Sequence, residues 1–199
     1  MTGRRGARRG ARGTILNVFS VANGVLRHGV KAGHLTINPA ATVRGDLAKT
    51  DDDATERRPL TAAQVQALAA LLPPTFGLVV RLAAYSGLRA GEIAGLRVRR
   101  LNVLRSEVRV EETVVRLDGA LSPGTPTSKR SRRTIKVPPP LAREVAAHIA
   151  ARGLGPDDYV FGNGDGTPLN HAALYRRCFV PAREALGLPD LRFHDLRHT

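Results

Sequence analysis

Apolar positions change their period along this chain, and each change marks a predicted element. In "TILNVFSVANGVLRHGVKAGHL", Ile15, Val18, Val21, Val25 and Leu26 recur at near-helical spacing. Gly24, Gly29 and Gly33 interrupt that run and weaken a helix, so one or two short helices are expected before Asn38-Pro39 stops them. Residues 44–58, "RGDLAKTDDDATERR", are charged and lack any apolar period, which predicts a linker. "LTAAQVQALAALLPP" then sets Thr61 as N-cap with Gln64 three residues on, a capping box. Val65, Leu68 and Leu72 share one face, and Pro73-Pro74 ends the helix. "TFGLVVRLAAYSG" is apolar almost all round and predicts a buried helix closed by Gly87, with "AGEIAGL" starting another short one.

From residue 101 the period falls to two. "EVRVEETVVRL" and "RRTIKV" alternate and are rich in β-branched residues, with turn residues at Asp118-Gly119 and Pro123-Gly124 between them. A small antiparallel sheet of two or three strands is expected. "PPPLAREVAAHIAARG" returns to helix, with Pro140 near the first turn, Leu141, Val145 and Ile149 on one stripe, and Gly153 as the stop. After a loop turning at Asp165-Gly166, Asn170 is the expected N-cap of a last helix that Pro181 should kink or split. The fold class is therefore mainly α with a small antiparallel β-sheet, an α+β domain.

Composition sharpens this picture. The 199 residues leave room for one good core and a small second module. With five Phe, three Tyr and no Trp, that core must be aliphatic. Thirty-one Lys and Arg against 17 Asp and Glu give a net charge of +14, which attracts polyanions and points to a nucleic acid. The opening "MTGRRGARRGARG", with Arg4, Arg5, Arg8 and Arg9 and no acid, is expected to be a flexible basic arm. A single cysteine, Cys178, excludes an internal disulfide and fits a reducing cytoplasm as a small buried side chain. No apolar run reaches membrane-spanning length, and the basic start lacks the apolar stretch of a secretory signal, so no membrane association is expected.

Three groups of residues carry candidate chemistry. Arg89 lies among small and apolar residues in "YSGLRAGEIAGL", where a guanidinium needs a partner. Glu92 can supply a structural ion pair; an anionic ligand is the alternative. His194 and Arg197 in "HDLRHT" are spaced to share a helical face. His194 and His198 also have the spacing of a zinc pair, but no third ligand accompanies them. The stretch "TPTSKRSRRTIK", holding Lys129, Arg130, Arg132 and Arg133, reads either as a solvated loop or as a phosphate-contacting tip. Taken together, two arginines can clamp the non-bridging oxygens of a phosphodiester while a lysine or histidine protonates the leaving oxygen. Such chemistry needs neither metal nor cofactor.

In that order, "SGLRAGEIAGLR", the basic hairpin ending "SRRTIKVP", and "LRFHDLRHT" closely resemble the tyrosine recombinase (phage integrase) family. The resemblance spans residues 60–199. It implies DNA cleavage by a tyrosine through a covalent 3′-phosphotyrosyl intermediate, with double-stranded DNA at an attachment site as partner and self-association on that DNA. It makes Arg89 the first clamp arginine, and His194 and Arg197 the histidine and second arginine of the H-x-x-R box. The family's hairpin lysine is expected where Thr127 stands, and Lys129, two residues later, is the substitute. The domains implied are a basic arm over 1–13, a remnant of the helical core-binding domain over 14–43, the linker, and a catalytic domain over 59–199 that is incomplete at its C-terminal side.

In this family a second histidine or tryptophan, then the nucleophilic tyrosine, follow the "HDLRHT" box. Tyr85, Tyr159 and Tyr175 match neither position and read as packing residues. The expectation is thus a fragment that binds DNA without cleaving it, in the cytoplasm with the nucleoid. A non-catalytic accessory protein or a decayed integrase is the alternative. Leu191, Phe193 and Leu196 are expected to lose cover without the closing helices.

Overall fold

In the computed structural model the chain divides into two units, one ending at Glu56 and one beginning at Arg57. The residues described are 10–41, 59–117, 120–124 and 132–199.

Among its described residues the first unit holds one helix, α1 (Gly10–Lys31). It starts ahead of the expected boundary and runs through Gly24 and Gly29 as a single element. Within this unit Ile15, Val18, Val21 and Val25 stay exposed, so the stripe legible in the sequence is real but faces outward. Behind α1 the chain turns at Gly33, and Asn38 Nδ2 donates to Asn23 Oδ1 at 2.8 Å, tying the Asn-Pro stop back to the helix.

The second unit is built around two helices, α2 (Ala62–Ala70) and α3 (Pro74–Ser86). The capping box is formed: the Gln64 amide donates to Thr61 Oγ1 at 3.2 Å, and the Thr61 amide donates to Gln64 Oε1 at 2.9 Å. Val65, Leu68 and Leu72 are buried against α3, whose Leu78, Val79, Val80, Leu82 and Ala83 are all enclosed. The all-round apolar sequence of α3 is explained by that position at the centre of the core.

The short helix α4 (Ala90–Ala94) follows, then a single 3₁₀ turn (Val98–Arg100) leading into the strands. The strands form two sheets rather than one. β1 (Leu101–Asn102), β2 (Glu107–Val110) and β5 (Arg133–Lys136) make an antiparallel sheet in the order β1-β2-β5. Among the described residues, β3 (Thr113–Leu117) and β4 (Ala120–Gly124) pair only with each other. The apparently continuous run "EVRVEETVVRL" is thus broken at Glu111-Glu112, where side chains hold ion pairs with Arg100 and Arg97 instead of extending the ladder. Pro123 and Gly124 lie within β4, paired with Val114 and Thr113, and not in a turn. Asp118 and Gly119 lie outside the described residues.

The β3–β4 hairpin rests on α4 through a glycine. A Cβ on Gly91 would stand 2.7 Å from both Thr113 Oγ1 and the Val114 carbonyl oxygen, so any other residue there pushes strand and helix apart.

α5 (Pro139–Ala151) buries Leu141 and Val145, and Gly153 ends it at φ +61°. The last helical stretch runs as α6 (His171–Leu174), a π turn (Tyr175–Phe179) and α7 (Val180–Ala185). Asn170 caps it, its Oδ1 accepting from the Ala173 amide at 3.1 Å. Pro181 does not break the stretch; it sits at the start of α7, where the widened turn before it absorbs the missing N–H. Cys178 packs half-buried against the core. A closing 3₁₀ helix (Phe193–His198) inserts Phe193 and Leu196. Both are buried and Leu191 is half-buried, so none of the three loses cover as the sequence suggested. Phe193 meets Phe179 edge-on at 5.6 Å, and α3 backs Leu196.

Candidate active site

The site grows from the C-terminal end of α3. Gly87 adopts the left-handed conformation, φ +65°, and turns the chain so that Leu88 enters the core while Arg89 emerges as the N-cap of α4. Glu92, one turn on, reaches back. Its Oε2 accepts the Arg89 amide at 2.8 Å, and its Oε1 accepts Arg89 Nη1 at 3.0 Å.

The same carboxylate receives a second guanidinium from the sheet. β5 pairs with β2 in the register Arg133↔Val110, which points Arg133 inward. Its Nη1 and Nη2 donate to Glu92 Oε1 and Oε2 at 2.8 and 2.9 Å, a bidentate pair. Glu92 is the one buried charged residue among the described residues. Burial pushes its carboxyl upward, but the hydrogen bonds and charge of Arg133, with the bonds from Arg89, outweigh that and hold it below its ordinary value. Arg133 is raised in return, first by its bond to Glu92.

The third guanidinium arrives on the closing 3₁₀ helix. Leu196 and Phe193 anchor that helix in the core, and Asp195 caps it by accepting the Arg192 amide at 2.9 Å. Between them Arg197 is left half-buried, its Nε donating to the Gly87 carbonyl at 2.7 Å. Burial lowers its pKa, the charges of Arg89 and Arg133 push the same way, and Glu92 opposes them. Three guanidinium groups therefore sense one carboxylate, and the surplus positive charge faces solvent through Arg89, whose side chain is 56% exposed. Such a cluster is suited to an oxyanion with several acceptor atoms.

His194 is exposed beside this cluster. With Arg197, Leu88, Ala90, His171 and Phe193 it lines a shallow cavity. The rings of His194 and His198 stand edge-on with centroids 5.7 Å apart, and no group of three or more His, Cys, Asp or Glu gathers among the described residues. The zinc-like spacing thus has no third ligand there.

Of the residues singled out from sequence, Arg89, His194 and Arg197 come together here. Arg132 is exposed just ahead of β5. Lys129, Arg130, Arg4, Arg5, Arg8 and Arg9 lie outside the described residues, as does Thr127. Arg133, grouped with them as a DNA contact, is the second partner of Glu92. The signal was present in "RRTIKV", whose alternation puts Arg133 on the inward face with Ile135. His171 carried no such signal.

The order and spacing of these elements are matched by known proteins. The sequence profile of the phage integrase family fits residues 58–199. The chain belongs to this family. A putative prophage phiRv2 integrase of Mycobacterium tuberculosis is 33% identical over 145 residues, covering 71% of this integrase-family chain and 38% of that protein. The integrase of Mycobacterium phage FRAT1 is 26% identical over 188 residues, covering 91% and 54% respectively. The chain thus spans about half or less of the length of these relatives.

Among solved structures, the Tn1549 transposon integrase in complex with transposon right end DNA superposes with a TM-score of 0.77 at 19% identity, over 94% of this chain and 64% of that one. A lambda integrase(75-356) dimer bound to a COC′ core site gives 0.61 at 20% identity, over 95% and 65%. At these identities the likeness establishes the tyrosine-recombinase fold.

Proposed function

We propose that the second unit grips one phosphodiester of double-stranded DNA for metal-free strand transfer, the chemistry of site-specific recombination and integration. The observation that carries this reading is the 2.7 Å bond from Arg197 Nε to the Gly87 carbonyl. It ties Arg197 to the turn that carries Arg89, although 110 residues separate Arg197 from Gly87. Arg89 and Arg197 hold the non-bridging oxygens and balance the charge that builds up in the pentavalent transition state. Glu92 orients Arg89 and is itself secured by Arg133. His194 borders the same cavity as a further hydrogen-bond partner. In the family's strand transfer, Lys129 protonates the departing 5′ oxygen as a tyrosine hydroxyl, which these residues do not supply, gives up its proton to solvent and attacks phosphorus to form the 3′-phosphotyrosyl link. Arg130, Arg132 and the N-terminal arginines contact flanking phosphates.

These 199 residues on their own bind DNA and do not cleave it. None of the three tyrosines lines the cavity: Tyr85 accepts from Gln66, Tyr159 is buried beneath Arg97, and Tyr175, packed against His171, stacks on Phe179. Duplex DNA as partner, and assembly on it, are supported by the DNA complexes of the Tn1549 and lambda integrases. No helix among the described residues is long and apolar enough to cross a membrane.

Fluorescence anisotropy with a labelled duplex, repeated across a salt series, tests the clamp. Arg89→Ala and Arg197→Ala should each weaken binding by roughly tenfold and flatten the salt dependence, and the double variant should lose less than the product. Salt-insensitive binding, or independent losses, would overturn the shared phosphate. A covalent protein–DNA adduct formed by this chain would overturn the assignment as a non-cleaving form.

A further inference from the structure

The cavity beside Arg197 contains a polar group that the clamp does not use. His171, the first residue of α6, lines it together with His194, Arg197, Leu88, Ala90 and Phe193. Its ring is fixed from two sides, edge-on to Phe193 at 5.1 Å between centroids and tilted against Tyr175 at 6.4 Å. Phe193 directly precedes His194, so the two histidines are positioned by one packed aromatic. Nε2 of His171 is buried and has no hydrogen-bond partner. Burial lowers the pKa of the imidazole, which keeps the ring uncharged near neutral pH.

An enclosed imidazole nitrogen without a partner carries a desolvation penalty of about 1–3 kcal/mol unless something fills its hydrogen bond. The cavity, about 90 Å³, is well above the space one water needs, and it opens on the arginine cluster. Its walls are apolar at Leu88, Ala90 and Phe193, matching the carbon surface of a deoxyribose. Its polar end, at Arg197 and His194, matches the phosphate attached to that sugar.

We propose that His171 is a third substrate-contacting group of this site, its Nε2–H donating to a sugar–phosphate oxygen of the nucleotide whose phosphate Arg197 holds. This rests on the phosphodiester reading above and adds a residue to it. The local architecture serves the role. Asn170 Oδ1 accepts both the Ala173 amide at 3.1 Å and Arg116 Nη2 at 3.1 Å, so the cap that orients α6 is also held by the β3–β4 hairpin.

Because the donating imidazole adds no positive charge, its contact has a signature the arginines lack. His171→Phe, which preserves the packing on Phe193, should weaken duplex binding by roughly three- to tenfold and leave the salt slope unchanged. His171→Gln, which restores an N–H donor, should recover part of the loss. In the unmodified protein, long-range ¹H–¹⁵N spectra should show the His171 Nε2 resonance moving when a short duplex is added. Binding by His171→Phe equal to that of the unmodified protein, or a His171 resonance that DNA leaves in place, overturns the proposal. If Arg197→Ala is weakened in the same experiments, the clamp survives that failure. If Arg89→Ala and Arg197→Ala also bind normally, the phosphodiester reading itself falls. Should His171→Phe lose its thermal transition, the resonance shift alone decides.

Discussion

Replacing Glu92 with Gln removes one negative charge from beneath three guanidinium groups while keeping the side chain's shape. In the native site that carboxylate accepts four hydrogen bonds, two of them the bidentate pair from Arg133. An amide can accept at only one atom, and its NH₂ is forced against an Arg133 or Arg89 N–H. Breaking a buried pair by removing one partner costs about 3–5 kcal/mol. Arg133 keeps 29% of its side chain in solvent and Arg89 more, so the lower end applies, about 3 kcal/mol. For a unit of this size that corresponds to a fall in Tm of roughly 10 °C.

Urea unfolding of Glu92→Gln, Arg133→Met and the double variant measures the coupling directly. The double variant should be more stable than the sum of the single losses predicts, by at least about 1 kcal/mol. A second arm uses pH. The folded pKa of Glu92 lies below its unfolded value, so its contribution is complete above the unfolded pKa of about 4.3 and is lost as pH falls through the folded value. Glu92→Gln should therefore show a flatter loss of stability in acid than the native chain. Additive single losses, or an unchanged acid limb, would refute the shared-carboxylate account.

Gly91→Ala should lower stability by about 1–3 kcal/mol, because its Cβ meets Thr113 and Val114 at 2.7 Å; thermal melts would register it. Phe179→Ala, which empties a fully buried position between Tyr175 and Phe193, should cost about 3–5 kcal/mol in urea unfolding. His148, stacked on Phe161 and bonded to the Val160 carbonyl, has its pKa lowered first by burial. Its contribution is present above the unfolded pKa of about 6.5 and is lost as pH falls through the folded value, so His148→Gln should flatten the stability profile on the acid side of neutrality.

The sequence made some parts of this molecule plain and concealed others, for identifiable reasons. Thr61 and Gln64, Asn170, and the proline-started α5 were legible because capping and helix initiation are local events within one turn. Arg89 stood out as a charged residue in apolar company, and His194 and Arg197 by their helical spacing and the resemblance of "HDLRHT" to a family box. The gap at Glu111-Glu112 was hidden, since alternation continues across it and only ion pairs to Arg97 and Arg100 reveal the change of sheet. Pro123-Gly124 suggested a turn, but among the described residues β4 has only β3 beside it, where the missing N–H of proline is tolerated. The cover over Phe193 and Leu196 comes from α3 and Phe179, both distant in sequence. The inward setting of Arg133 depended on strand register, and His171 on a cavity formed by three separate elements.

The bond from Arg197 to Gly87 also sets a schedule. It closes a span of 110 residues, so during synthesis Arg89 and its carboxylate exist long before their partner has left the ribosome. At about 5–20 residues per second that delay lasts from several seconds to some twenty. Throughout it the emerging chain is strongly basic, yet the arginine cluster around Glu92 lacks its third member. Arg197 joins the cluster only once the 3₁₀ helix Phe193–His198 has docked on α3, so among these residues the cluster is completed by the segment that leaves the ribosome last.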